Sequence, residues 1–261
     1  MKKFLISASV AVLGALSTQA GVTAGLDDLV LGFKSSTATN NLMVNLGSSS
    51  QFAMGGTQPV SWSKDVSSLL TTAYGSDWNT ITSLNWGVAG TQGAQDPEKT
   101  AFVTSQWGTA AGTLGVQNSV QWTSVNSSGM GSAATNIGKV YSGLTGASAA
   151  NTLSSDAVNI LASNGSSWSS ATTTGGAFVI FNPQTRFQNQ VTRLADGTMF
   201  SASDLYQMDF GVAGQFQGTF ALDQSGILTF TAVPEPSTYA MILGALTLGV
   251  VAVRRRFVKQ A

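Results

Sequence analysis

Apolar residues recur at every second position at the start of the chain's body. Leu29, Leu31 and Phe33 keep this spacing, a polar SSTATNN stretch follows, and Leu42, Val44 and Leu46 take it up again. Successive side chains of a strand point to opposite faces, so the pattern predicts a hairpin with one apolar face. Leu84, Trp86 and Val88 form a further period-two run, and Ala101 to Val103 begin the next strand. Phe216, Gly218, Phe220 and Leu222 lead into the turn sequence Asp223-Gln224-Ser225-Gly226, and Leu228, Phe230 and Ala232 return from it. Helical spacing is rarer. Val66, Leu69, Leu70, Ala73 and Tyr74 share one helical face that Gly75 ends. Ile137, Val140, Tyr141 and Leu144 fit a second, shorter helix, and Ala157, Ile160 and Leu161 a third behind a cap at Ser154 or Ser155. Residues 108–176 are thick with Gly, Ser, Thr, Ala and Asn and read as loops or a flexible insertion. No fixed period repeats, so a solenoid is not supported. The pattern as a whole predicts a mainly β fold, a β-sandwich with a few short helices.

Both ends of the chain depart from this pattern. Met1-Lys2-Lys3 precedes the apolar run FLISASVAVLGAL, and small residues close it, the order of a secretory signal. The expected signal peptide is residues 1–20, cut after Ala20, and Val22-Thr23-Ala24 offers a second cut site. At the other end Pro234-Glu235-Pro236 precedes an uncharged run of 15 residues, Tyr239 to Val253, and then Arg254, Arg255 and Arg256. As a helix that run is about 22 Å long, short of the roughly 30 Å hydrocarbon core of a bilayer. The arginines mark a cytoplasmic stop, and the prolines hold the approach extended and open to a processing enzyme. The stretch reads as a temporary membrane stop. A signal helix and a transmembrane helix at 239–253 thus flank an exported domain at 21–232, with 233–261 as a terminal module.

Motif, apolar helix and Arg cluster, in that order and at the terminus, resemble the PEP-CTERM sorting signal of Gram-negative bacteria. The resemblance implies two processing enzymes, a signal peptidase and an integral-membrane exosortase that cuts near the motif. It further implies transient inner-membrane anchoring with the body in the periplasm, then transfer to the cell surface or extracellular matrix. Proteins of this kind are associated with exopolysaccharide and biofilm. The same type of segment also occurs on some ice-binding proteins, but Thr229 and Thr231 form only one short rank of threonines.

Charge and composition narrow the function classes. Between Gly21 and Val233 six basic residues face eleven acidic ones, a balance of −5. Such a body is a poor partner for nucleic acid. Cysteine and histidine are absent, which removes Ser-His-Asp and Cys-His nucleophile systems and nearly all zinc sites. Neither a metal site nor a cofactor is expected, and no DxDxDG-type calcium loop occurs. Asp77, Asp204 and Asp209 are the nearest candidates for the paired carboxylates of a glycosidase, although solvated or capping roles are commoner for such residues. Six tryptophans stand out in so polar a chain: Trp62, Trp78, Trp86, Trp107, Trp122 and Trp168. Trp78, Trp107 and Trp122 are candidates for stacking on sugar rings, against the commoner role of core anchor. The expected protein has no catalytic residue and serves structure or adhesion. A carbohydrate-binding module is the alternative, with a carbohydrate-active enzyme behind it. Exposure of the tryptophans discriminates these readings.

Overall fold

The computed structural model describes residues 22–54, 61–92, 100–107, 112–124, 126–148, 150–173, 185–188, 192–193, 199–233 and 247. The expected signal peptide, the Pro-Glu-Pro motif, the 239–253 span apart from residue 247, and the arginine cluster lie outside these residues. No helix among the described residues is long and apolar enough to cross a membrane.

The body is mainly β, as the alternating runs predict. Its strands are β1 (Asp28–Lys34), β2 (Asn40–Ser48), β3 (Ser61–Asp65), β4 (Asn85–Thr91), β5 (Thr100–Gln106), β6 (Thr152–Ser154) and β7 (Ala157–Leu161). The short β8 (Thr185–Arg186) and β9 (Thr192–Arg193) precede the long β10 (Met199–Asp209), β11 (Gln215–Asp223) and β12 (Ile227–Ala232). All pairings are antiparallel, in the order β3-β12-β11-β10-β5-β4-β1-β2-β7-β6, with β8 beside β4 and β9 beside β10. The expected sandwich of two sheets is therefore corrected to one continuous sheet, curled into a half-barrel.

Curling is what removes the need for a second sheet. The concave face gathers Leu31, Phe33, Val44, Trp86, Phe102, Leu205 and Phe220 from strands spread across the order. Phe52, just past β2, reaches across to Trp62 on β3 and Phe230 on β12, with ring centroids 5.2 Å away in both cases and near-perpendicular planes. Edge-to-face contact of this kind suits the aromatic quadrupole. Lys64 on β3 also pairs with Asp156 in the β6–β7 turn, so opposite margins of the sheet meet. Burial works against the Asp156 carboxylate, but hydrogen bonds from Lys64 and Ser154 and the lysine charge hold its pKa below the usual value. Both partners are partly solvated, and such pairs contribute little alone. The aromatic bridge carries most of the closure.

Helices pack on both faces of the sheet. The helix α1 (Ser67–Tyr74) ends at Gly75 as predicted and sends Leu70 into the concave core. The helix α2 (Ser127–Thr145) is 19 residues long, capped by the Asn126 side chain accepting from the Gly129 amide at 2.8 Å. It lays Met130, Ala133, Ile137, Val140, Tyr141 and Leu144 against the convex side of the sheet. The expected short helix is thus the second half of a longer one, inside a stretch that read as loops. Its small residues serve approach rather than flexibility: a Cβ at Gly143 would lie 2.2 Å from the Ser166 carbonyl oxygen. The third expected helix is instead β7. Ala157 faces the concave core while Val158 and Ile160 face the convex one, and five residues are too few to separate the two periods by spacing alone.

The third helix of the structure is α3 (Trp168–Thr173), whose Trp168 ring lies flat over Gly32 of β1. A Cβ at Gly32 would come within 1.9 Å of the indole. Gly32→Ala should therefore destabilise the fold by about 1–3 kcal/mol through overpacking. Urea unfolding followed by tryptophan fluorescence checks this; an unchanged midpoint would mean that the indole yields without cost.

Candidate functional site

Three side chains are laid in a row by the sheet register. Lys34 at the end of β1 pairs with Asn85 at the start of β4, and Asn85 pairs in turn with Arg186 of β8. Directly opposed residues share a face, and this face is the convex one, because Phe33 and Trp86 fill the concave core. The row borders a cleft of about 630 Å³, completed by hydroxyls that include Ser35, Ser83 and Ser169. Ser35 and Ser83 are bonded hydroxyl to hydroxyl at 2.7 Å. Lys34 donates to the Thr172 hydroxyl of α3 at 3.1 Å, and burial lowers its pKa from the ordinary 10.5 to about 8. The Arg186 side chain is exposed, and among the described residues no carboxylate lines the cleft. A smaller cleft of about 320 Å³ lies across the Ser35–Thr39 turn, beside Thr39 and Tyr74. No sequence signal singles out Lys34 and Arg186, which are 152 positions apart and meet only through β4.

Asp204 occupies a different setting from the one the sequence suggested. It lies in the middle of β10, fully buried, where a turn or cap acid was expected. Its carboxylate accepts from the Trp107 indole, from the Thr219 hydroxyl at 2.9 Å, and from the Asn118 and Ser119 amides at 2.7 Å each. The last two pin residues 112–124 as a strap across β10 and β11. Ser119 reinforces the strap through the Tyr206 hydroxyl at 2.9 Å, and burial pushes the Tyr206 pKa up to about 12. Asp209 sits five residues further along the same strand, bonded to the Thr100 hydroxyl at 2.7 Å. That spacing corresponds to roughly 16 Å of strand, too far for the carboxyl pair of a glycosidase. Asp77 is exposed at the entry to a turn of 3₁₀ helix.

The tryptophans are placed mainly as anchors. Trp78 is buried against Phe187 with ring centroids 5.1 Å apart, and Trp86 donates to the Ser201 hydroxyl at 2.7 Å. Trp107 is buried on Phe200 and Ala202, and Trp168 beneath α2. Trp122 is half-buried against the convex core. The expected stacking role is thus corrected for Trp78 and Trp107, whose ring faces are taken up by core contacts. Of the three candidates only Trp122 keeps a partly open ring.

The chain leaves the body through β12. This strand lies between β11 and β3, and the Val233 amide still donates to the Gln217 carbonyl at 3.2 Å. The family described as PEP-CTERM protein-sorting motif matches residues 232–256, so the motif begins where the sheet ends. This motif implies an exported protein, sorted at the membrane of a Gram-negative bacterium and processed by an exosortase. The body has no assigned family. No curated protein and no solved structure matches the chain.

Removing the Asp204 acceptor leaves an indole, a hydroxyl and two amides without a partner in a buried site. Asp204→Ala should cost about 3–5 kcal/mol and release the strap. Hydrogen exchange at the Asn118 and Ser119 amides reads the release, and unchanged protection would refute the anchoring role. Lys34 should titrate with a midpoint near 8, measured by NMR on methylated lysines with Lys34→Arg to assign the signal. The folded residue sheds its proton near 8 and the unfolded one near 10.5, so the unfolded state holds more protons in between. The Lys34 contribution to stability therefore rises with pH across that window. A midpoint at the ordinary value would contradict the burial.

Proposed function

We propose that the protein is a non-enzymatic component of the cell surface or extracellular matrix, delivered there by its PEP-CTERM signal. The observation that carries this reading is the match at 232–256, joined without a linker to the last strand of the body. Exosortase cleavage beyond Val233 leaves β12 whole, and with it the pairing to β11 and β3. Signal peptidase acts at the other end. Cleavage after Ala20 keeps Val22, which is buried in the convex core, and Thr23, whose carbonyl accepts from the Asn45 side chain at 2.9 Å. Cleavage after Ala24 would discard both, so the first site is the one compatible with the packed body. The body passes through the periplasm while the 239–253 segment, flanked by Arg254 to Arg256, holds it at the inner membrane.

Support for a scaffold role comes from how the chemistry-bearing side chains are used. Asp204 holds a strap, Asp209 stands apart from it, and four of the six tryptophans are buried. Association with exopolysaccharide or biofilm is the expected setting for such a protein. Sugar stacking on exposed tryptophans is the weaker alternative, because Trp62 and Trp122 are the only two left partly open.

The sorting claim has a direct readout in cells. Mass spectrometry of the surface protein should give a first residue of Gly21 and no peptide from Ala252 onward. Replacing Pro234, Glu235 and Pro236 by alanine should leave the protein in the inner membrane. Recovery of Arg254 to Ala261 at the surface, or normal display of the alanine variant, would count against processing.

A further inference from the structure

We propose that the cleft between Lys34 and Arg186 binds an acidic sugar unit, with the two cations holding its carboxylate and the surrounding hydroxyls its ring oxygens. This goes beyond the delivery role above and does not use the tryptophans.

The cleft gathers positive charge on a body that is otherwise acidic. Two of the six basic residues between Gly21 and Val233 line it, without a single carboxylate among the described lining residues. The charge is held in a defined position, since strand pairing fixes the Lys34–Asn85–Arg186 row and a bond to Thr172 orients the lysine. A planar guanidinium matches a carboxylate with two parallel hydrogen bonds, and a half-buried ammonium attracts the same anion more strongly than a fully solvated one, because burial places it in a lower local dielectric.

The rest of the lining sets the class of ligand. Ser35, Ser83, Ser169 and the Asn85 amide are groups that both donate and accept, as sugar hydroxyls require. A volume of about 630 Å³ exceeds what a bare oxyanion needs and lies within the usual range of roughly 300–1,000 Å³ for small-molecule sites. Among the described residues no large apolar side chain lines it, which disfavours a lipid tail or an aromatic ligand. Among the described residues the cleft is open on the convex surface, which leaves room for a unit within a longer chain.

Calorimetry on the full-length chain in detergent micelles tests this with three probes: trigalacturonate, its fully methyl-esterified form, and inorganic sulfate. Trigalacturonate should bind, and the ester should bind about tenfold more weakly or not at all, as expected for loss of a charge-assisted pair. Arg186→Gln should cause a similar loss at an unchanged melting temperature, since that side chain is exposed. Lys34→Gln should weaken binding as well, and if it disturbs folding the Arg186 result stands alone. Asp77→Asn, outside the cleft, should bind like the parent chain. Equal affinity for acid and ester, full affinity in Arg186→Gln, or no binding of trigalacturonate would overturn the proposal. Sulfate binding as tight as trigalacturonate would reduce the cleft to a simple anion site and overturn the saccharide assignment.

Discussion

The central strands of this sheet have two sides to cover, and water is kept from both. The concave side is closed by the sheet's own curl, with Phe52 bridging from the end of β2 to Trp62 and Phe230 at the far margin. The convex side is closed by α2, α3 and the strap at 112–124. Each cover depends on the other. A flat sheet would leave the concave aromatics exposed, while a bare convex side would leave Val30, Met43, Val103 and Tyr206 in water. Aromatic burial on this scale removes large apolar areas from solvent, which explains how a cysteine-free exported body holds together.

Two buried polar groups inside this arrangement are satisfied by position. Tyr141 of α2 donates to the Asp28 carbonyl at 2.6 Å and accepts from the Thr91 amide at 3.1 Å, tying the helix to two strands at once. Burial pushes its pKa up to about 12, so the phenol remains neutral and able to donate. Asp204 does the same for the strap with four donors. Buried polar atoms cost free energy when unpaired, and these two residues convert that cost into specificity for one arrangement of covers.

Much of this was legible in advance. The β1–β2 and β11–β12 hairpins follow directly from period-two runs, and Gly75 stops α1 where the sequence places it. The sorting module was legible as well, because its parts are contiguous and depend on charge and length rather than on packing. Three features were hidden for physical reasons. β10 carries Ser201, Ser203 and Asp204 on a strand buried on both sides, so it lacks the alternation that marks a half-exposed strand. The first half of α2 is built from glycine, serine and alanine chosen for close packing, a composition shared with loops. The Lys34–Arg186 row arises from register between strands distant in sequence, which no local pattern encodes. The sandwich expectation failed for a related reason, since hairpins alone do not say whether a sheet folds onto a second layer or onto itself.

The position of β12 bears on how the protein would tolerate tension under the proposed holding of its tail at the membrane. Because this strand is flanked by β11 and β3, a pull on residue 233 runs along the strand and loads the two hydrogen-bond ladders together, in shear. An outermost strand pulled crosswise would unzip one bond after another. A tail held there would thus be fastened where the molecule resists being drawn apart, and the body would stay assembled until that tail was cut.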